Sequence, residues 1–210
     1  MNLGSINNLK KKLKLTKKQK SILVGKLLGD SHLETQNKGK TYRLKVEHSI
    51  EQKEYVDWLY YELKNLANQK PQIKKRFNRK PSYWFTTYSL GIFRFYGQQF
   101  YVNGKKIIPK IIKKLLDPLV LAVWFMDDGS FKSNKHHTYI LHTTGFNKKD
   151  LLIIKSVFQE KFGINARLHK QYDKWRIYIC SDSAQKFKDL ISPYIIPILK
   201  YKLGNKLPKR

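Results

Sequence analysis

The strongest constraint on the fold of this chain is that its second half repeats the pattern of its first. In both halves an apolar helical stretch is followed by an alternating strand, a second helix, two strand-like runs and closing helical segments. Individual positions also agree, at an offset of 98 residues that shortens to 91 or 92 through the loops. The matched positions are Asp30 with Asp128, Thr41-Tyr42 with Thr138-Tyr139, Trp84 with Trp175, Ser89 with Ser181, and Phe95 with Phe187. We therefore predict an internal duplication of an αββαββα unit.

The duplication also predicts the domain organisation. A basic N-terminal arm, residues 1–16, leads into a first half, residues 17–104, and a linker, residues 105–117, joins it to a second half, residues 118–210. We expect the apolar helices that end at the matched acids to pack together on a pseudo-twofold axis. Two four-stranded antiparallel sheets then flank them, which predicts an α+β fold. Because one chain carries both halves, a monomer is expected.

Short polar residues predict where several elements begin and end. Asp117 and Asn147 each precede an apolar helical pattern, where such side chains are favoured as N-caps. A turn is predicted at Lys80-Pro81, between two strand-like runs of the first half. In the second half, residues 138–145 are predicted to form a strand.

The charge of the chain predicts a polyanionic partner. Lys and Arg number 43 against 15 Asp and Glu, a formal net charge of +28, and residues 63–116 contain no acid. A hydrophobic content of 41% favours a folded domain over a basic disordered tail. A folded domain this basic most commonly binds nucleic acid. The alternatives are a ribosomal-type RNA binder and a chain whose lysine content reflects codon bias.

The single cysteine, Cys180, excludes an internal disulfide framework and a thiolate zinc site. The longest uncharged apolar run, residues 119–126, is far shorter than the roughly 20 residues that span a bilayer. No secretory signal pattern opens the chain. A soluble, intracellular protein with no membrane partner is expected.

The matched acids Asp30 and Asp128 are unexpected in so basic a chain. Carboxylates that face DNA repel its phosphates unless a cation lies between them, and for hard oxygen ligands the natural cation is Mg²⁺. An isolated Asp-Asp-Gly after a helix is more often a solvated turn. Because two such acids end matched helices, we expect a metal site.

Two stretches resemble the paired motifs of single-chain LAGLIDADG homing endonucleases, of the omega type encoded in group I introns. They are "ILVGKLLGDSH", residues 22–32, and "VLAVWFMDDGS", residues 120–130. The likeness continues through "GKTYRLKVEH", "KKIIP" and "IIPILKYKL" and covers nearly the whole chain. It implies saddle-shaped sheets over double-stranded DNA and Mg²⁺-dependent cleavage of both strands of a long asymmetric site, leaving short 3′ overhangs. Mn²⁺ is the expected substitute.

The same resemblance assigns candidate site residues. The catalytic, metal-binding acids are Asp30 and Asp128, and the backbone carbonyls of Gly29 and Asp127 are further candidate metal ligands. The Asp127 side chain is expected to pack at the helix end or to contact solvent.

Basic residues that support the scissile phosphate or polarise water fall at Lys106 and Lys202, unless these are simple DNA-backbone contacts. The chain departs from the family motif at Ser31, at Lys26 and at Val123, which replaces a small residue and predicts an asymmetric helix contact.

Polar residues on the strands predict the DNA-reading surface, since a two-stranded ribbon fits a major groove. The first strand of the second half is expected to present Thr138, His142 and Thr144 outward. The full set of predicted DNA contacts is Arg43, Lys45, Lys74, Arg76, Asn78, Arg79, Lys80, Lys132, Asn134, His142, Thr144, Asn165, Arg167, His169, Gln171 and Arg176.

The resemblance leaves two further functions open. An intron-encoded maturase of the same fold would hold structured RNA by its shape and phosphates, and a repressor would bind nucleic acid without cleaving it. An unrelated basic RNA-binding protein would leave the matched acids unexplained. The His136-His137 pair has no nearby acid or cysteine to complete a metal site, so we interpret both as loop residues. Expression in a mitochondrion or chloroplast, from within an intron, is expected.

Overall fold

The computed structural model of the chain describes residues 13–133 and 136–204, with the side chain of Arg76 left out. Most of the predicted N-terminal arm, the predicted contact Asn134 and the side chain of the predicted contact Arg76 lie outside this description. No helix within the described part is long and apolar enough to cross a membrane.

Helices and strands follow one another in the predicted order. The helices are α1 (Lys17–Leu28), α2 (Lys53–Glu62), α3 (Arg94–Phe100), α4 (Ile112–Leu115), α5 (Pro118–Asp128), α6 (Lys148–Phe162) and α7 (Ser181–Ile191). The strands are β1 (His32–Glu34), β2 (Arg43–Ser49), β3 (Gln72–Arg76), β4 (Arg79–Thr86), β5 (Tyr101–Val102), β6 (Lys105–Lys106), β7 (Gly129–Phe131), β8 (Tyr139–Leu141), β9 (Ala166–Gln171) and β10 (Lys174–Ile179). Short 3₁₀ turns cover Ile50–Gln52, Gly91–Phe93, Ser192–Tyr194 and Pro197–Leu203.

The two large sheets have the same topology. One has the strand order β1-β2-β4-β3 and the other β7-β8-β10-β9, and every neighbouring pair is antiparallel. Strand β7 begins directly after α5, which ends at Asp128, whereas β1 begins at His32, after α1 has ended at Leu28. The α+β class, the duplication and the two four-stranded sheets are therefore confirmed.

The chain packs as two compact units. The first contains residues 13–20 and 30–98, and the second contains residues 21–29 and 99–204 without the two undescribed positions. Helix α1 is thus shared: its first turn belongs to the first unit and the rest to the second. The predicted boundaries of the two sequence halves, residues 17–104 and 118–210, describe the repeat rather than these compact units, and they remain a prediction.

The core of the first unit lies between strand β2 and helix α2. Alternation along β2 buries Leu44 and Val46, as the sequence predicts, and α2 buries Tyr55, Val56 and Leu59. In the first turn of α1, the Gln19 amide donates to the Glu62 carbonyl at 3.0 Å and to Asn65 Oδ1 at 2.7 Å.

Helix α5 is the centre of the second unit. Every residue from Val120 to Met126 is buried, because a helix that is apolar on all sides must be covered on all sides. The Asp117 carboxylate accepts from the Val120 amide at 2.8 Å, and Asn147 caps α6 through the Asp150 amide at 2.9 Å. Both predicted N-caps are therefore confirmed.

The predicted turn at Lys80-Pro81 is wrong. Strand β4 already includes Pro81, and the two-residue turn is Phe77-Asn78. Asn78 adopts a positive φ of 52°, which asparagine tolerates better than most residues. Pro81 is accommodated because β4 bulges there: Lys80 and Pro81 together face Lys75 between the registered pairs, so Pro81 has no registered partner on either neighbouring strand.

Two expectations about the first long strand of the second unit are also wrong. Strand β8 ends at Leu141 rather than near residue 145, because the backbone turns: the Thr143 amide donates to the Leu141 carbonyl at 3.0 Å and the Phe146 amide to the Thr143 carbonyl at 3.1 Å. Thr138 does not face outward: it is 2% exposed, and its hydroxyl donates to the Ile179 carbonyl at 2.8 Å.

Candidate active site

Close contact between helices α1 and α5 builds the centre of the second unit. A Cβ atom placed on Gly25 would lie 2.6 Å from the Val123 Cβ and 2.8 Å from the Val120 carbonyl oxygen. Glycine is therefore required here for the two backbones to approach. The small residue stands on α1 only and the larger Val123 on α5, so the asymmetric contact expected from the sequence is confirmed.

Asp128 is held at the C-terminal end of α5. The Trp124 indole donates to its carboxylate Oδ2 at 3.2 Å, and its carbonyl accepts from the His142 amide at 2.9 Å. The next residue, Gly129, begins strand β7. Helix, indole and strand pairing together fix the direction of this carboxylate, which is only partly buried.

Asp127 is engaged differently from its neighbour. Its side chain is completely buried, and one carboxylate oxygen lies 2.6 Å from the Lys26 Nζ, which is also completely buried. Solvent contact, one of the two expectations for this side chain, is therefore wrong, and packing at the helix end is right. Sequence reasoning noted Lys26 only as a departure from the motif and missed its partner.

The two candidate basic residues reach equivalent atoms. Lys106 Nζ donates to the Gly29 carbonyl at 2.8 Å, and Lys202 Nζ donates to the Met126 carbonyl at 2.5 Å and to the Asp127 carbonyl at 3.0 Å. Each ammonium thus contacts the carbonyl of the residue that directly precedes a matched acid. The structure brings these lysines, which are 77 and 75 residues distant in sequence from those carbonyls, to the two motif ends.

His142 lies beside the second motif in its neutral form. Partial burial holds the pKa of its imidazole below the ordinary value, and the charges of Arg176 and Lys202 lower the pKa further. Its Nε2 lies 3.0 Å from the Ser130 hydroxyl. At neutral pH this ring is therefore a hydrogen-bonding group without charge.

Asp30 follows Gly29 and belongs to the first unit. Its side chain is 49% exposed, and its Oδ2 lies 3.8 Å from Nδ1 of His48, whose own side chain is 4% exposed. The His48 ring also contacts the Tyr55 ring, with centroids 5.1 Å apart. The sequence analysis did not connect His48 with the acid, although the alternation that buries Leu44 and Val46 places residue 48 on the same face of β2.

The predicted DNA contacts lie on exposed or partly exposed positions where their side chains are described. In the first unit, Arg43 pairs with Glu34 at 2.7 Å, Lys45 with Glu47 at 3.2 Å, and Asn78 forms the hairpin turn. In the second unit, the rings of His169 and Tyr178 stack at 4.6 Å, and the ammonium of Lys132 donates to the Tyr178 hydroxyl at 3.1 Å. Neighbouring acids thus restrain two cations of the first unit, whereas Tyr178 contacts both His169 and Lys132 in the second.

Comparisons with known proteins agree with this architecture. The model of the LAGLIDADG DNA endonuclease family matches residues 20–187. Cytochrome b mRNA maturase bI2 of Debaryomyces hansenii is 32% identical over 200 residues, which cover 91% of this chain and 75% of that protein. Probable intron-encoded endonuclease 1 of Wickerhamomyces canadensis is 31% identical over 198 residues, covering 90% of this chain and 85% of that protein.

A solved structure is similar over almost the full length. The homing endonuclease I-WcaI, bound to its DNA recognition sequence, superimposes with a TM-score of 0.89 and 30% identity, covering 96% of this chain and 93% of that one. The family model spans well over half of the sequence, and it includes both motif helices and both sheets. This chain therefore belongs to the LAGLIDADG DNA endonuclease family.

Proposed function

We propose that this chain is a site-specific DNA endonuclease that makes a metal-dependent double-strand break in a long asymmetric target, as in intron homing. The observation that carries the proposal is the repeated arrangement at the motif ends. In each half an acid ends or follows a packed helix, and a lysine ammonium contacts the carbonyl just before it. A duplicated arrangement of this kind is suited to treating the two strands of one duplex alike.

The donor atoms at the motif ends fit a hard divalent cation. Asp30 and Asp128 offer carboxylate oxygens, Asp30 half-exposed and Asp128 partly buried, and Mg²⁺ is commonly held by one or two carboxylates together with substrate phosphate oxygens. A carbonyl oxygen has two lone pairs, so the Gly29 and Asp127 carbonyls are the further ligands that we propose. We propose Mg²⁺ as the natural ion and Mn²⁺ as its substitute. When bound, it supplies an activated water and neutralises the charge that develops on the phosphodiester.

The two lysines are proposed to stabilise the negative charge that develops on the attacked phosphodiester. The ammoniums of Lys106 and Lys202 are anchored by backbone carbonyls, so the position of each cation is fixed. A fixed cation beside the attacked phosphodiester stabilises developing negative charge without reorganisation. Their role as plain phosphate contacts is the alternative, and it predicts an effect on binding alone.

The strand residues supply recognition. The net charge of +28 attracts the DNA backbone over long distances, and a major groove is wide enough for a two-stranded ribbon whose polar side chains read base edges. Each sheet then covers one half-site, and the asymmetry of the two halves predicts an asymmetric target. Cleavage is expected to leave short 3′ overhangs.

The relatives' names support an origin within an organellar intron. One relative is a probable intron-encoded endonuclease and another is an mRNA maturase for cytochrome b. We therefore propose that this chain is encoded in a mitochondrial or chloroplast intron. The maturase relative also favours a second candidate function, in which the chain holds its own intron RNA and promotes splicing.

A cleavage selection tests the main proposal. The purified protein is incubated with Mg²⁺ and a randomised duplex library, and cleaved products are sequenced, which returns activity and recognition site together. Asp30→Asn and Asp128→Asn should each abolish double-strand cleavage of the recovered target while binding persists. Asp173→Asn, an equal charge change in an exposed hairpin turn, is the control and should cleave normally.

Cleavage by both motif variants would contradict the assignment of the acids. If no DNA is cleaved at all, the endonuclease proposal fails. A splicing assay with the host intron RNA then decides on the maturase function.

A further inference from the structure

Glu34 and Arg43 form a charged pair on the outward face of the first large sheet. The two residues lie directly opposite each other on strands β1 and β2. Arg43 Nε donates to Glu34 Oε2 at 2.8 Å, and Arg43 Nη2 lies 2.7 Å from the same oxygen. Leu44 and Val46 fill the opposite, buried face of β2, whereas the side chains of Arg43 and Glu34 are 40% and 28% exposed. The pair is therefore accessible to a ligand that binds this face.

An acid on this face needs an explanation, because the proposed partner is a polyanion. Among the strands of the two large sheets, the acids are Glu34 and Glu47, and both belong to the first sheet. At the offset of 98 residues that aligns the matched acids, Lys132 takes the position of Glu34 in the second half. A carboxylate repels phosphate, so it would weaken an arginine whose role was to hold the DNA backbone. A role other than phosphate binding is therefore indicated for Arg43.

The surroundings of Glu34 keep its carboxylate charged and in place. Partial burial by itself raises the pKa of this carboxyl, but the hydrogen bonds with Arg43 and His32 outweigh burial and lower the pKa below its ordinary value. His32 Nε2 lies 3.0 Å from Oε1, whereas Arg43 contacts Oε2. Each carboxylate oxygen thus has its own partner, so at neutral pH Glu34 is an anion with a fixed direction.

The contact with Glu34 occupies one edge of the planar Arg43 guanidinium. Nε and Nη2 form that edge, and Nη1 with the second N–H of Nη2 forms another. Among the described residues, Glu34 is the one partner of this guanidinium. Two parallel N–H groups of an arginine match O6 and N7 of guanine in the major groove, which is the commonest specific contact with a base. The neighbouring cation Lys45, 3.2 Å from Glu47, is a compact point charge without such a fork.

We propose that Glu34 is a positioning residue, which holds Arg43 so that its Nη1 and Nη2 groups donate to O6 and N7 of one guanine in the DNA target. A side chain that is already fixed loses less conformational freedom on binding than a mobile one does. The charge of Glu34 also disfavours a phosphate in the place of the base. The pair thus specifies one G·C base pair in the half-site of the first sheet. This inference rests on the proposed DNA-binding function, but the pairing itself can be tested without DNA.

The first test measures the pairing in the free protein by NMR. The Arg43 Nε–H group of the wild type should give a resolved signal, identified by its loss in Arg43→Ala, because the hydrogen bond to Glu34 slows exchange with water. The signal should also be lost in Glu34→Ala, which is expected to fold because exposed ion pairs contribute little to stability. Glu160→Ala removes a different surface glutamate, 2.7 Å from Lys113, and should keep the signal. A signal that persists in Glu34→Ala would overturn the positioning role.

The second test is a binding selection, in which duplexes bound from a randomised library are separated and sequenced. The wild type should prefer guanine at one position, and Arg43→Ala and Glu34→Ala should both lose that preference by about tenfold or more. Preferences at the other positions should stay, and the control Glu160→Ala should retain them all. A preference that survives in Glu34→Ala, or losses spread evenly over the site, would overturn the proposal.

The third test places 7-deazaguanine at the selected position, which replaces the N7 acceptor by C–H and leaves base pairing intact. The wild type should bind this duplex about tenfold more weakly than the natural target, whereas Arg43→Ala should bind both alike. Glu34→Ala should bind the natural target more weakly than the wild type does. If Glu34 only repels the backbone, its removal instead tightens binding to every duplex, and that result would overturn the proposal. A wild type that selects a site without cleaving it contradicts the endonuclease function alone, and one that selects no site contradicts both.

Discussion

Replacing Gly25 with alanine tests whether the close approach of helices α1 and α5 is set by the absence of a side chain. The new methyl group would lie 2.6 Å from the Val123 Cβ and 2.8 Å from the Val120 carbonyl oxygen. A backbone oxygen cannot rotate away as a side chain can, so the two helices must separate. Overpacking of a core costs about 1–3 kcal/mol, and the clash with a backbone oxygen places this substitution in the upper part of that range, at about 2–3 kcal/mol. Alanine returns about 1 kcal/mol of helix propensity relative to glycine.

The expected net effect is a loss of about 1–2 kcal/mol in the free energy of unfolding. For a chain of this length that corresponds to a fall of about 2–8 °C in the unfolding midpoint, measured by calorimetry without metal or DNA. Gly91→Ala is the matched control, because a Cβ atom there meets nothing within 4 Å, and it should change stability by less than about 0.5 kcal/mol. A Gly25→Ala variant that is as stable as the wild type, or more stable, would refute the close-packing argument.

The remaining predictions concern the candidate basic residues and a helix cap. Lys106→Met and Lys202→Met should each slow cleavage by about 100-fold. Their DNA affinity should be no weaker than that of the control variants Lys105→Met and Lys200→Met, which change exposed neighbouring lysines. Equal losses of binding and cleavage would mean that both lysines only contact phosphates. Asp117→Ala should cost about 2 kcal/mol in denaturant unfolding, because it removes both the cap of α5 and the acceptor of the Ser21 hydroxyl at 2.5 Å. Asn147→Ala, which removes the single cap bond of α6, should cost about 1 kcal/mol, and the reverse order would contradict the account of α5.

Those parts of the fold that depend on local rules were predictable from the sequence. The caps at Asp117 and Asn147 follow from side-chain chemistry at helix ends, and the strand alternation that buries Leu44 and Val46 follows from the pleat. The candidate lysines were located because the resemblance fixes their distance from known motifs. Their contacts with the carbonyls before the matched acids required the structure.

Features that depend on which residues distant in sequence contact each other were not predicted. Sequence reasoning placed the turn between these strands at Lys80-Pro81, since proline is a strong turn signal, whereas a bulge in β4 itself allows Pro81 to remain in that strand. The proximity of His48 to Asp30 was not predicted, although the alternation rule already places residue 48 on the buried face of its strand. Lys26 was noted only as a departure from the family motif, because nothing local to it reveals an acid 101 residues away.

Three positions at and just after helix α1 have counterparts of a different kind on helix α5, which only a duplication within a single chain allows. Gly25 faces Val123, Gly29 makes room for Asp127, and Lys26 pairs with that same acid. In a symmetric dimer both helices would carry the same residue at each position, so a glycine could not face a valine at its own matched site, and a second Lys26 would replace Trp124. When both halves lie on one chain, a substitution on one helix can be compensated by a different substitution on the other. The residues that differ between the two halves are therefore complementary in the helix pair, where each one requires its counterpart on the other helix.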